Sequence, residues 1–198
     1  MTLIGLCGMS GSGKTLVGGL FAMEGFAHID CDKLVHERLY KRPDVREAIT
    51  LNFGPEMLTP DGINRKAMAE VVFSNQDKLD LLNELIHDPI TEIVLQAAKE
   101  SGAEYVLLDA PTLFESGIDK KCASIVGLIA PKNTCIERIM NRDGISKEAA
   151  IQRLSRQKGE EFLRKHCHYI LVNDGNIVGL TKKTLQLASK IKKGEYRP

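Results

Sequence analysis

A short apolar run, Leu3 to Cys7, leads into Gly8-Met9-Ser10-Gly11-Ser12-Gly13-Lys14-Thr15, and a helical pattern over Lys14 to Glu24 follows at once. The eight residues fit G-x-x-x-x-G-K-[ST], and nothing else in the chain narrows its possible folds as much. Gly11 and Gly13 let the backbone bend until successive N–H groups face phosphate oxygens with no Cβ in the way. Ser12 and Leu16 belong to the same nucleotide-contacting turn. Lys14 brings a positive charge to the β- and γ-phosphates, and the Thr15 hydroxyl suits Mg²⁺. The helix that starts there adds the partial positive charge of its N-terminus. By chance the pattern arises in roughly one chain in a hundred of this length. Its place between a strand and a helix is the context it requires. The expectation is a nucleotide-phosphate site.

The remaining patterning agrees with that placement. Apolar runs at Phe26–Ile29, Tyr105–Leu108, Ser124–Ile129 and Tyr169–Val172 join the first as candidate strands. Helical periodicity is expected near 44–52, 65–73, 77–86, 89–100, 133–142, 147–165 and 177–190. Near-continuous apolar strands alternating with helices describe a parallel sheet covered on both faces, so the fold class is α/β. Ser74 ahead of Asp77 has the spacing of a helix cap. Thr59-Pro60-Asp61-Gly62 is turn chemistry, and Gly144 reads as a helix C-cap. The polar tail from Lys192 to Pro198 is expected to fray.

Composition excludes other classes. With 198 residues, one domain, or one domain with an inserted lid, is the expected size. A net charge of +1 argues against a chain devoted to nucleic acid or an acidic membrane. No apolar stretch approaches a membrane span, and Met1-Thr2-Leu3-Ile4-Gly5 lacks the basic start of a secretory signal. The five cysteines are scattered and never C-x-x-C, which fits a reduced, cytoplasmic protein. A guanine switch should carry Asn-Lys-x-Asp, which is missing, and a motor needs more length. A small-molecule kinase is the reading that remains.

A kinase needs carboxylates and cations beside its phosphate loop. Asp30 and Asp32 end the second strand, where open parallel sheets place their ligand crevice. As alternate residues of an extended segment they are expected to share a face. One carboxylate can take the proton of the acceptor hydroxyl while the other orients Mg²⁺-bound water. The plainer alternative makes Asp32 the cap of a helix over 33–39. Asp109, ending the third strand, is a second candidate for the Mg²⁺ water, against a turn-forming role before Ala110-Pro111. Residues 132–165 hold nine basic and five acidic side chains, while the rest of the chain has 18 against 21. Arg138 and Arg142 share a helix face there and are expected to clamp the transferred phosphate when this segment closes as a lid. His166 and His168 lack a third metal ligand nearby, and Cys7 and Cys31 read as small core fillers.

With these residues in hand, the chain resembles a dephospho-coenzyme A kinase, a phosphate-loop (P-loop) kinase of the nucleoside-monophosphate-kinase type. The resemblance spans nearly the whole sequence. It runs from Gly8–Thr15 through Asp30-Cys31-Asp32, Phe53-Gly54, Gly62-Ile63-Asn64-Arg65, Val72-Phe73, Leu82-Asn83 and His87. It continues through Pro111-Thr112-Leu113-Phe114-Glu115, Arg138 to Asp143, Arg153-Leu154, Gln157 and Asn173-Asp174-Gly175. Leu16 stands in place of the usual second hydroxyl, so contact with the α-phosphate there falls to the backbone N–H. Thr112 replaces a leucine, and Cys167-His168 stands where Ala-Asp is frequent.

The resemblance implies a P-loop NTPase fold with a five-stranded parallel sheet flanked by helices. Its core would cover about 1–34, 104–131 and 167–191, with substrate-binding helices over about 35–103 and a lid over about 132–166. It implies transfer of phosphate from ATP, with Mg²⁺, to the ribose 3′-hydroxyl of dephospho-coenzyme A. Asp32 would be the base, with Asp30 nearby. Lys14, Arg138 and Arg142 would neutralise the transferred group, and Asn173 to Ile177 would border the adenine. Arg65 and Glu115 would lie on the acceptor side. A related kinase with another small acceptor stays open. So does a silent nucleotide-binding regulator, which intact Lys14, Thr15 and Asp32 speak against.

Overall fold

Alternation along β1 (Thr2–Gly8) sends Ile4 and Leu6 to one face of the sheet and Leu3 and Cys7 to the other, and all four are buried. The computed structural model describes residues 1–195, with Arg65 and Phe73 described through their backbone alone. After the phosphate loop come α1 (Lys14–Met23), β2 (Ala27–Asp30), α2 (Cys31–Glu37) and α3 (Pro43–Phe53). A ribbon of β3 (Leu58–Thr59) and β4 (Gly62–Ile63) precedes α4 (Arg65–Ser74) and α5 (Gln76–Glu100). The chain then forms β5 (Tyr105–Asp109), β6 (Ser124–Ile129), α6 (Lys132–Asp143), α7 (Lys147–Ser155), α8 (Glu160–His166), β7 (Tyr169–Val172) and α9 (Ile177–Lys192). Residues 196–198 of the expected fraying tail lie outside the described residues.

The main sheet is parallel throughout, in the order β2-β5-β1-β6-β7. On one face, Val17 and Phe21 of α1 and Leu180, Leu187 and Ile191 of α9 pack on Ile4, Leu6, Leu107, Val126 and Leu128. On the other, α2 to α5 cover Leu3, Val106, Leu108 and Ile125. A separate small core of Cys135, Ile136, Ile139, Ala150 and Leu154 joins α6 to α7. Because β1 is central and parallel to its neighbours, the C-terminal ends of β1, β2 and β5 open on one edge. Gly8, Asp30 and Asp109 therefore come together.

Several local expectations change. The helical patterns over 77–86 and 89–100 are one helix, α5, with Pro89 inside it. A proline in a helix interior costs about 3 kcal/mol. Burying Leu82, Ile90, Ile93 and Val94 returns more, at about 1.5–3 kcal/mol for each large side chain, so packing carries the helix through. The pattern over 147–165 is instead two helices, because Gly159 takes an extended conformation and caps α8. Asn75, not Ser74, caps α5 by accepting from the Lys78 N–H at 3.2 Å. Ser74 turns its hydroxyl back onto the Glu70 carbonyl. The turn at 59–62 closes a two-stranded ribbon too short to leave an alternating pattern.

That ribbon hangs on one side chain. The Arg46 guanidinium donates to the carbonyls of Thr59 and Gly62, each at 3.0 Å, and of Tyr40 at 3.3 Å. Arg46→Met keeps the aliphatic stem but strands three carbonyls. It is expected to lower stability by about 1–3 kcal/mol, measured by urea unfolding. An unchanged unfolding midpoint would show that the ribbon holds without it.

Candidate active site

Glycine is required in the phosphate loop by crowding as well as by torsion. Gly11 and Gly13 have φ of +78° and +103°. A Cβ on Gly11 would stand 2.7 Å from the Cys135 carbonyl oxygen, and one on Gly13 would stand 2.7 Å from Asn173 Nδ2. A Cβ on Gly8 would meet the Leu128 carbonyl oxygen at 2.5 Å. Gly13 is also the N-cap of α1 and brings no capping side chain, so the first N–H groups of the helix face an anion site.

The loop floors a cavity of about 590 Å³. Of the sequence-predicted residues, Gly11, Gly13, Lys14, Thr15, Asp30, Asp32, Asp109, Arg138 and Arg142 line it together. Lys14 Nζ donates to the Gly8 carbonyl at 2.9 Å. Burial pulls the Lys14 ammonium below its ordinary range, and Asp109 and Asp32 counter that pull. Arg138 donates to the Gly11 carbonyl at 3.0 Å, and Arg142 lies 3.3 Å from Ser10 Oγ. Asp143 bonds Arg142 at 2.7 Å and also pairs with Arg153. Those guanidiniums, Arg142 first, hold its carboxyl below the usual range.

The acidic wall forms by a route other than shared extended backbone. Asp30 is the cap of α2, accepting from the Lys33 N–H at 2.9 Å, and Asp32 sits in the first helical turn. Capping therefore belongs to Asp30, and the helix starts at Cys31 rather than Lys33. Asp32 reaches the cavity because α2 turns away at its cap. Its carboxyl is pushed up by burial and then by repulsion from Asp30 and Asp109, against the opposing pull of Lys14 and His36. Asp109 lies 3.6 Å from His28 Nε2, and its Oδ1 is buried with no hydrogen-bond partner among the described residues.

Other predicted residues stand elsewhere. Ser12 is fully buried beneath the loop. Leu16 is partly exposed, and its N–H donates to the Gly13 carbonyl at 3.1 Å, so it is committed within the helix. Asn173 is buried and its amide donates to the Ser12 carbonyl at 2.8 Å, a strut under the loop. Ile177 is 62% exposed and lines neither cavity described here. Glu115 lines a second cavity, and the Arg65 side chain lies outside the described residues. His168 accepts from the Ile125 N–H at 2.8 Å and His166 stacks on Phe162, so the two rings serve packing.

The second cavity, about 530 Å³, adjoins the first and has an apolar wall that includes Val35, Met68, Val72, Leu79, Leu82 and Ile90. Asp32 lines both cavities. Two site-lining residues, Arg153 and Gln157, appeared in the sequence only as family signatures. Gln157 accepts the Ser10 N–H at 2.8 Å, a pairing that no spacing rule could reveal. Arg156, on the rim of the second cavity, gave no sequence signal beyond its charge.

Asn173→Ala removes a buried bond worth about 1 kcal/mol from the loop. ATP affinity measured by calorimetry is expected to fall roughly five- to tenfold. Unchanged affinity would remove the strut role.

Comparison with known proteins agrees with this geometry. The dephospho-CoA kinase family model matches residues 2–179. A Fusobacterium nucleatum dephospho-CoA kinase is 33% identical over 190 residues, covering 96% of this chain and 98% of its own. A solved Thermus thermophilus structure superposes with a TM-score of 0.78 at 29% identity, covering 100% of this chain and 98% of its own. The Campylobacter jejuni dephospho-CoA kinase gives a TM-score of 0.67 at 25% identity, covering 98% of each chain. With matched family residues running from the first strand into the last helix, the chain belongs to the dephospho-CoA kinase family.

Proposed function

We infer that the chain transfers the γ-phosphoryl group of ATP to the ribose 3′-hydroxyl of dephospho-coenzyme A, giving coenzyme A and ADP. The observation that carries this reading is the position of Asp32, on the wall shared by the phosphate cavity and the apolar cavity. The phosphate chain lies over Gly11, Gly13 and Lys14. The acceptor lies in the apolar cavity, with Glu115 at its edge and Arg65 assigned to the same side from the sequence alone. Asp32 accepts the hydroxyl proton as the oxygen attacks. Its raised pKa makes it a better base than an exposed carboxylate. Lys14, Arg138, Arg142 and Arg153 offset the charge on the transferred group, where positioning and electrostatics supply most of the rate. A cytoplasmic site of action belongs to the same proposal, in keeping with five free cysteines and no described helix long and apolar enough to cross a membrane.

The oxygen donors of this wall fit Mg²⁺. Thr15, Asp30 and Asp109 line one cavity, and the unpartnered Asp109 Oδ1 leaves an acceptor for a metal-bound water. Thr15 would be the direct ligand, with Asp30 or Asp109 reached through water. When bound, the ion neutralises charge on the β- and γ-phosphates.

An ADP-release assay comparing dephospho-coenzyme A with AMP, CMP, adenosine and no acceptor tests the reading. Turnover is expected only with dephospho-coenzyme A, and turnover confined to another acceptor would overturn it. Asp32→Asn should keep ATP affinity within a few-fold while cutting kcat by roughly 10² or more; unchanged kcat would remove the base role. Since Asp32 works when ionised, kcat should fall as pH drops through its raised pKa. Asp30→Asn retains an acceptor for the Lys33 N–H but removes one repelling charge, so this acid limb should move to lower pH. A limb that stays in place would show that the Asp30 charge does not contribute to it.

A further inference from the structure

Lining neither cavity, two thiols 160 positions apart meet with their Sγ atoms 3.5 Å from each other. Cys7 is buried near the end of β1, and Cys167 is partly exposed between α8 and β7. Gly127 of β6 stands in register beside Cys7 and makes the meeting possible. A Cβ at 127 would lie 2.8 Å from Cys167 Sγ and 3.2 Å from Cys167 Cβ. The Cys167 thiol therefore occupies the space that a side chain on β6 would fill, and from there it reaches the neighbouring strand.

The two sulfurs are not equivalent. The hydrogen bond with Cys7 holds the Cys167 thiol below its ordinary range, while Cys7 Sγ also lies 3.8 Å from the Val126 carbonyl oxygen. Cys7 is pushed up, first by its bond to Cys167 and then by burial. The partly exposed sulfur is thus the better nucleophile, and the buried one is placed to resolve it.

We propose that Cys7 and Cys167 form a thiol–disulfide modification site whose oxidant is a low-molecular-weight disulfide. The Cys167 thiolate attacks one sulfur of the small disulfide, forming a mixed disulfide and releasing the first small thiolate, which takes up a proton. Cys7 loses its proton to solvent and attacks Cys167 Sγ. The bond to the remaining small group breaks, and that group leaves as a second thiol. Two protein thiols are oxidised, and one small disulfide is reduced to two thiols.

The bridge bears on the phosphate loop through the backbone. Cys7 precedes Gly8, whose carbonyl holds Lys14 Nζ at 2.9 Å. The Cys167 N–H caps α8 by donating to the Leu163 carbonyl at 2.8 Å. Closing the sulfurs to a bond of about 2.05 Å draws these two anchor points together and shifts the carbonyl beneath Lys14.

The test treats the full chain with cystamine, then follows ADP release and maps peptides without reduction. The expected result is a Cys7–Cys167 cross-linked peptide with at least a threefold fall in kcat, reversed by dithiothreitol. Cys167→Ser should turn over normally and keep its rate through the same treatment. Cys7→Ala should instead hold cystamine as a mixed disulfide on Cys167. Cys7 and Cys167 recovered as free thiols after treatment would overturn the proposal, as would a cross-link that leaves kcat unchanged.

Discussion

The tight approach of three parts of the chain to the backbone of the phosphate loop is the constraint on which the site depends. Leu128 of β6, Cys135 of α6 and Asn173 beyond β7 each come so close to a loop glycine that a single Cβ would collide. The loop's shape is therefore held from outside as well as by its own torsions. β6 and β7 must be paired in order beside β1 before the donors can point inward. A local motif thus acquires its geometry from contacts more than a hundred residues away, and this ties phosphate binding to completion of the sheet.

How far the sequence spoke for itself follows from the same distinction between local and distant causes. β6 was readable to the residue because a strand buried on both faces leaves an unbroken apolar run, and the edge strand β7 because its short apolar run is closed by Asn173-Asp174-Gly175. That the phosphate loop, Asp30, Asp32, Asp109, Arg138 and Arg142 share one cavity was readable because their chemistry is local to a motif, a strand end or a helix face. Pro89 misled because its cost is local while the packing that overrides it comes from the fold. The strut made by Asn173 left no local sign: its amide serves the loop backbone, a contact made across the sheet. The wall of the second cavity draws on α2, α4, α5 and the segment after β5, so its residues share no period and no motif.

Electrostatics in the phosphate cavity run against the preference of each group taken alone. Three carboxylates crowd one wall, and burial disfavours both the ionised Asp32 and the charged Lys14. Opposite charge across the cavity partly offsets each penalty, since Lys14 lowers Asp32 and Asp32 raises Lys14. The arginines of α6 and α7 differ. Arg142 and Arg153 share Asp143 at the surface, where water screens an ion pair, so their arrangement aims charge more than it holds the fold together.

The division of labour between Asp30 and Asp32 connects this charge pattern to the direction of transfer. Asp30 spends one oxygen on the Lys33 N–H and so fixes where α2 begins. Had Asp32 been the cap, its carboxylate would have been committed to backbone two residues further on, and its basicity lowered by that bond. With the helix starting earlier, Asp32 stands in the first turn with its carboxyl facing both cavities. Under the proposed transfer, the capping choice thus determines which carboxylate meets an acceptor hydroxyl arriving from the apolar side while facing phosphate on the other.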